Sequence, residues 1–142
     1  MIEKFDFCHL QQVFNISNLC FENGWSLSLF EEELNKSNRL DFVYKVDDKV
    51  VGYCFAILGL DTLEILDIAV LKEFRNKGIA TKLLSYIEGI AKNKNSDIIF
   101  MLEVSDKNIQ AQSLYTKLGY KVISKRKDYY GVDNSAFIME KR

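Results

Sequence analysis

Proline is absent from the chain, and with it the commonest mark of a linker or a rigid turn. No serine- or glycine-rich stretch takes its place, and no repeat with a period of roughly 20–50 residues appears, so residues 1–142 are expected to form one domain. Charge of one sign is missing as well, since 19 Lys and Arg against 20 Asp and Glu leave a formal net charge of −1. A chain with no overall positive field is no general nucleic-acid binder, and any anion site must come from a local cluster. Cysteine is scarce: Cys8, Cys20 and Cys54 are odd in number, lie far apart and form no C-x-x-C pair, which argues against a disulfide framework and against a metal site. The longest apolar run, VVGYCFAILGL, is shorter than the roughly 20 residues that span a bilayer. MIEKFDFCHL also lacks the basic and apolar regions of a signal peptide. These absences predict a soluble, cytoplasmic protein with no membrane partner. Histidine occurs once, as His9, which makes Ser-His-Asp or Cys-His catalysis improbable and marks His9 as structural or exposed.

What is there suffices for a folded core, with 48% apolar and 27% charged residues. Leu10, Val13, Phe14 and Ser17 follow helical spacing, and a second helix can begin in GWSLSLFEEEL, where Ser28 and Glu31 form a potential capping box. From Asp41 the pattern turns to strands: DFVYKV, a DDK turn, VVGYCFAIL, then TLEILDIAV. Ile79, Leu83, Leu84, Ile87, Ile90 and Ala91 mark one face of a helix, and DIIFMLEV reads as a central strand covered on both faces. A further helix carries Ala111, Leu114, Tyr115 and Leu118 on one face, with Asn108 to cap its start and Gly119 to close its end. YKVISKRK and SAFIME complete an order ααβββαβαββ. It predicts an α/β (α+β) fold with a mixed, mostly antiparallel sheet, helices on its faces and one parallel strand–helix–strand step.

RNKGIATKLL, residues 75–84, puts a glycine immediately before a helix. The first N–H groups of that helix lack partners and can face an anion, Gly78 permits close approach, and Arg75, Lys77 and Thr81 add donors. The stretch alone leaves a pyrophosphate cradle and an ordinary surface loop equally open. It matches neither G-x-G-x-x-G nor G-x-x-x-x-G-K-[ST], so a phosphate-bearing cofactor of another kind is required.

LEILDIAV, the R-x-x-G-x-A turn and helix in FRNKGIATKLL, and NIQAQSLYTKLGY together resemble the GNAT superfamily of acetyl-CoA-dependent N-acetyltransferases. GWS before a helix, LEV ending the central strand, N-x-x-A-x-x-LY-x-x-LGY and KRKDYY are most similar to the bacterial ribosomal-protein-alanine N-acetyltransferases. The resemblance spans nearly the whole chain. It implies a GNAT-like sheet of about six to seven strands flanked by about four helices, with acetyl-CoA as co-substrate and no metal. Four positions depart from the pattern. Ala80 replaces a glycine of the turn, Leu71 and Lys72 stand where proline is frequent, and Asp67 stands where asparagine is frequent and adds a carboxylate beside the acetyl site.

Acetyl transfer to an amine requires an uncharged amine, a stabilised oxyanion and a proton for the leaving thiolate. Glu103, at the carboxyl end of IIFMLEV, is the candidate base, and partial desolvation there would raise its pKa; a plain strand-end glutamate bound to a neighbour is the alternative. Tyr115, by default a core residue, matches the family's general acid. By the same resemblance, Ile68, Ala69 and Val70 bind the pantetheine through their backbone, with the Val70 N–H as oxyanion donor. Arg75, Asn76, Lys77, Gly78, Ile79, Ala80 and Thr81 hold the pyrophosphate, and Asn108 binds the cofactor while capping its helix. Tyr129 and Tyr130 match tyrosines that grip a protein N-terminus, and Asp67 faces the acceptor. Cys54, inside an apolar strand, reads as an inert core thiol. The expected partner is a protein N-terminus, with an alanine-initiated ribosomal protein foremost. A small amine such as a polyamine or aminoglycoside, and an acyl-CoA-binding module without turnover, remain as rivals.

Overall fold

The computed structural model describes residues 1–142. Seven strands form one sheet: β1 (Ile2–Lys4), β2 (Arg39–Val46), β3 (Lys49–Leu58), β4 (Thr62–Val70), β5 (Ile99–Ser105), β6 (Lys121–Gly131) and β7 (Asn134–Lys141). Their spatial order is β1-β2-β3-β4-β5-β7-β6. Four helices cover it, α1 (Leu10–Cys20), α2 (Leu27–Glu33), α3 (Ile79–Lys94) and α4 (Ile109–Lys117). All neighbouring strands are antiparallel except β4 and β5, which are joined through α3 as the parallel step the sequence predicts. No helix is long and apolar enough to cross a membrane.

β3 is apolar on both faces because both are covered, and it is buried from Val50 to Ala56. On one side Val51, Cys54 and Ala56 pack with Ile79, Leu83, Leu84, Ile87 and Ala91 of α3 and Tyr115 of α4. On the other, Tyr53 and Phe55 pack with Leu10, Val13 and Ile16 of α1 and Phe30 of α2. The tryptophan of GWS joins this second cluster, its ring 5.1 Å from Phe30 and 5.9 Å from Phe55. That motif therefore sets the chain's entry into α2.

Several expectations are corrected. β1 was not foreseen, because three residues show no alternation; register with Phe42–Tyr44 and a bond from the N-terminal ammonium to the Lys45 carbonyl (2.9 Å) hold it. The α2 cap is Ser26, whose Oγ accepts the Leu29 N–H at 3.2 Å, and not a box of Ser28 and Glu31, which lie within the helix. β5 buries only Phe100, Leu102 and Val104, leaving Met101, Glu103 and Ser105 on a half-open face. β6 runs on to Gly131, so KRKDYY lies within a strand exposed along its whole length at the sheet edge. Other expectations hold. Asn108 Oδ1 accepts the Ala111 N–H at 3.1 Å, and Gly119 is left-handed with φ +99°. His9 is buried, taking the Asp6 N–H on Nδ1 (3.0 Å), and Cys54 is fully buried, which pushes its thiol pKa up.

The far edge of the α3 layer is tied by a buried polar contact. Tyr120 donates to Glu88 at 2.6 Å, and Lys141 Nζ donates to the other oxygen of the same carboxylate at 2.9 Å. Tyr120→Phe removes one of two donors from a nearly buried carboxylate and is expected to cost about 1–2 kcal/mol. Urea unfolding should show this as a lower midpoint with unchanged slope.

Candidate active site

The site begins with one surplus residue. β3 and β4 pair through Ala56↔Ile65 and Phe55↔Asp67, so Leu66 has no partner and forms a bulge. Because strand faces alternate, the extra residue exchanges them. Before it Leu63 and Ile65 face the α3 core; after it Ala69 faces the α1 core and Val70 the α3 core. Asp67, in step with Ala69, is thereby kept out of the α3 core.

At the same place β4 leaves β5. Their parallel register covers only Thr62↔Ile99, Leu63↔Phe100 and Glu64↔Met101; beyond it β4 pairs with β3 alone and β5 with β7 alone. The Leu71 N–H binds the Val51 carbonyl at 2.9 Å, which fixes the phase of the antiparallel ladder. In that phase the backbone groups of Ile68 and Val70 turn away from β3 and toward the opening. A wedge thus forms at the carboxyl ends of two parallel strands, with main-chain groups that have no strand partner along one wall; of these the Val70 carbonyl is taken by Arg75, and its N–H is free.

The amino end of α3 stands against the same strand end. Gly52 allows this, since a Cβ there would lie 3.1 Å from both the Ala69 carbonyl and Val70 Cγ2 and 3.4 Å from Ile79 Cγ2. Arg75 donates from Nε to the Val70 carbonyl at 2.9 Å, pinning the turn to β4. Asn76 (φ 62°) and Gly78 (φ 79°) are both left-handed, and a Cβ at Gly78 would meet nothing within 4 Å. No side chain caps α3 and its first turn holds no acid, so the N–H groups of Ile79, Ala80 and Thr81 face open space. The Ile79 side chain is buried in the core, while Lys77 and Gly78 are exposed and Thr81 is half-buried. These features fit a phosphate-bearing ligand. No group of three or more His, Cys, Asp and Glu is arranged to hold a metal ion.

Four further side chains come together around the wedge. Tyr115, on α4, is buried, and its hydroxyl bonds to no protein group. Burial, with the nearby Cys54, Asp67 and Tyr130, pushes its pKa up and keeps the phenol protonated. Glu103, on β5, is half-buried and pairs with Arg126 of β6, NH1 to Oε1 3.3 Å. The strand-end carboxylate thus has a cationic partner on β6, which is the feature of the alternative reading, a glutamate bound to a neighbour. Tyr129 and Tyr130 lie beside it with their rings 5.0 Å apart, and the Glu103 charge raises the pKa of both, together with burial for Tyr130. Sequence reasoning missed Arg126, although KRKDYY contains it, because only the β5-β7-β6 strand order brings it to Glu103.

Asp67 accepts from the Tyr53 hydroxyl at 2.9 Å, a partnership that rests on the β3–β4 register and left no mark in the sequence. Burial is the main cause that raises its pKa to about 6. A carboxyl group that is harder to ionise folded than unfolded favours folding fully only below the unfolded value near 4, and this advantage is lost as pH rises to about 6. Asp67→Asn, which keeps an acceptor for Tyr53, should be about 1–2 kcal/mol more stable than the parent at pH 7.5. Below about pH 3.5, under the unfolded value, the two should converge, as read by urea unfolding at both pH values.

The comparisons with known proteins agree with this geometry. Residues 10–120 match the model of the acetyltransferase (GNAT) family. An N-alpha-acetyltransferase of Saccharolobus solfataricus is 32% identical over 143 residues, covering 92% of this chain and 85% of that protein. A [ribosomal protein bS18]-alanine N-acetyltransferase of Haemophilus ducreyi is 30% identical over 91 residues, 64% of this chain and 62% of that one. Among solved structures, the ribosomal-protein-S18-alanine N-acetyltransferase of Escherichia coli superposes with a TM-score of 0.89 at 22% identity, covering 99% of this chain and 92% of that one. By the family match and by the extent of its similarity to the Saccharolobus protein, the chain belongs to the acetyltransferase (GNAT) family and is an N-acetyltransferase.

Proposed function

We propose that this enzyme transfers acetyl from acetyl-CoA to the N-terminal α-amino group of a protein, an alanine-initiated ribosomal protein being the acceptor. The observation that carries the reading is the placing of Glu103, Tyr115, Tyr129 and Tyr130 around one wedge whose inner wall is bare β4 backbone. The names of the Saccharolobus and Haemophilus relatives support the acceptor class.

Bound acetyl-CoA would supply a thioester-activated acetyl group. The backbone of Asn76–Thr81, with Arg75 and Lys77, would hold its pyrophosphate, and Asn108 would bind it from the start of α4. Ile68 and Val70 would align the pantetheine as a further strand, leaving the Val70 N–H to receive a carbonyl oxygen; Ala69, expected to share this contact, turns its backbone groups to β3 instead. Glu103 takes the proton of the incoming ammonium, directly or through water. Tyr115 would give its hydroxyl proton to the sulfur as the C–S bond breaks and recover one from the newly acylated nitrogen, a role open to a phenol that burial keeps protonated. Tyr129 and Tyr130 border the acceptor's path. Transfer is direct, in a ternary complex, and Cys54 takes no part because it is sealed in the core.

One observation favours a second acceptor class. Asp67 forms no ion pair with any cation of the chain and faces the acceptor layer, so it can receive a second ammonium group of a small polyamine or aminoglycoside. A thiol-release assay across alanine-initiated peptides, other N-terminal peptides and small amines separates the two. The peptides beginning with alanine should give the highest kcat/KM, and a clear preference for a diamine would transfer the reading to the second class. With the best acceptor, Glu103→Gln and Tyr115→Phe should each lower kcat/KM by about 100-fold or more. Values within a few-fold of the parent would remove these residues from their roles.

A further inference from the structure

We infer that Arg126 is a resident substitute for the acceptor's ammonium group and sets acceptor affinity by competing for Glu103. The inference rests on the reading of Glu103 as the residue that meets the acceptor amine. Three carboxylates lie near the wedge, and they are treated differently. Asp67 is held by the Tyr53 hydroxyl, and Glu64 forms no ion pair, though its charge reaches Tyr129. Glu103 alone carries a cation, the Arg126 guanidinium at 3.3 Å.

The form of that contact suits exchange better than support. It is a single NH1–Oε1 approach, not a two-point fork, and the Arg126 side chain is 54% exposed against 21% for Glu103. Arg126 reaches across β7 from the edge strand, just before the pairing of β6 with β7 lapses between Arg126 and Gly131. Its guanidinium carbon lies 5.4 Å from the centre of the Tyr129 ring, so a charge released from Glu103 retains an aromatic face to rest on. Neighbouring cations do not replace it: Lys125 is paired with Asp106 at 3.7 Å, and no other cation is paired with Glu103.

An amine acceptor arrives largely as ammonium and needs the same carboxylate. Binding is then an exchange of one cation for another at Glu103, with Arg126 withdrawn toward Tyr129. Exposed ion pairs are weak, so the penalty is a small multiple in affinity. It is nonetheless a selective one, because an acceptor that offers only a weak cation gains nothing by displacing the guanidinium.

The test is a binding cycle on the full chain with alaninamide as the probe, followed by NMR titration, which requires no turnover. Arg126→Ala should bind alaninamide roughly two- to five-fold more tightly than the parent. In a Glu103→Gln background the same change should have no effect, which isolates the pair. Steady-state kinetics with the best peptide should show the same drop in acceptor KM, with the KM for acetyl-CoA unchanged. Weaker or unchanged alaninamide binding in Arg126→Ala, or an equal gain in the Glu103→Gln background, overturns the inference. The kcat of Glu103→Gln reads the base assignment separately, so failure of that assignment and failure of the exchange are told apart.

Discussion

Everything in the site depends on the departure of β4 from β5. A parallel pair that stayed in register to its end would satisfy its own backbone and leave no room between the strands. The unpaired Leu66 goes with the divergence and simultaneously exchanges the faces of the residues that follow. One extra residue therefore provides space, main-chain groups without a strand partner and a carboxylate turned out of the α3 core. The cost is borne by the sheet's other pairings: β3 holds β4 up to Val70, and β7 holds β5 up to Ser105. The two halves can diverge because each is anchored on its outer side.

The chemistry placed around this opening is a matter of contrasted environments. Tyr115 is deep enough to stay protonated, Asp67 is buried enough to ionise reluctantly, and Glu103 sits at half depth with an exposed cation beside it. Aromatic groups fill the space between the charges, Tyr53 behind Asp67 and the Tyr129–Tyr130 pair beside Glu103. The uncapped amino end of α3 is kept apart from all of this by the turn that Arg75 pins to Val70. Opposite electrostatic demands are met a few residues apart because a strand end and a helix start meet at Gly52.

Much of this architecture was legible in the sequence, and the reasons are local. Helical and strand periodicity, Gly78 before α3, Asn108 before α4 and Gly119 after it are statements about a few neighbouring residues, and each reappears in the fold. The illegible parts are those that need register or strand order. The Leu66 bulge has no residue signature, the Tyr53–Asp67 bond spans 14 positions, and Arg126 meets Glu103 only because β7 inserts between β5 and β6. The Ser26 cap shows a milder failure: the right turn was located, but two serines two residues apart offered two phases, and burial of Phe30 favours the earlier one. The both-sided burial expected for β5 failed because Met101 and Glu103 face the open layer, where apolar character alone could not say how much cover there is.

β6 offers one last lesson. All eleven of its residues are exposed, yet it carries the aromatic pair and the arginine that stand beside Glu103. Substitutions on such a strand remove little buried surface, and their effect on folding is usually within about 0.5 kcal/mol. The amino end of α3 has no such freedom, being bound to the core through Gly52, Val70 and Ile79. The molecule is thus divided in its capacity for change: the edge strand beside Glu103 can be rewritten at little thermodynamic risk, while the meeting of β4 with α3 is bound to the survival of the fold.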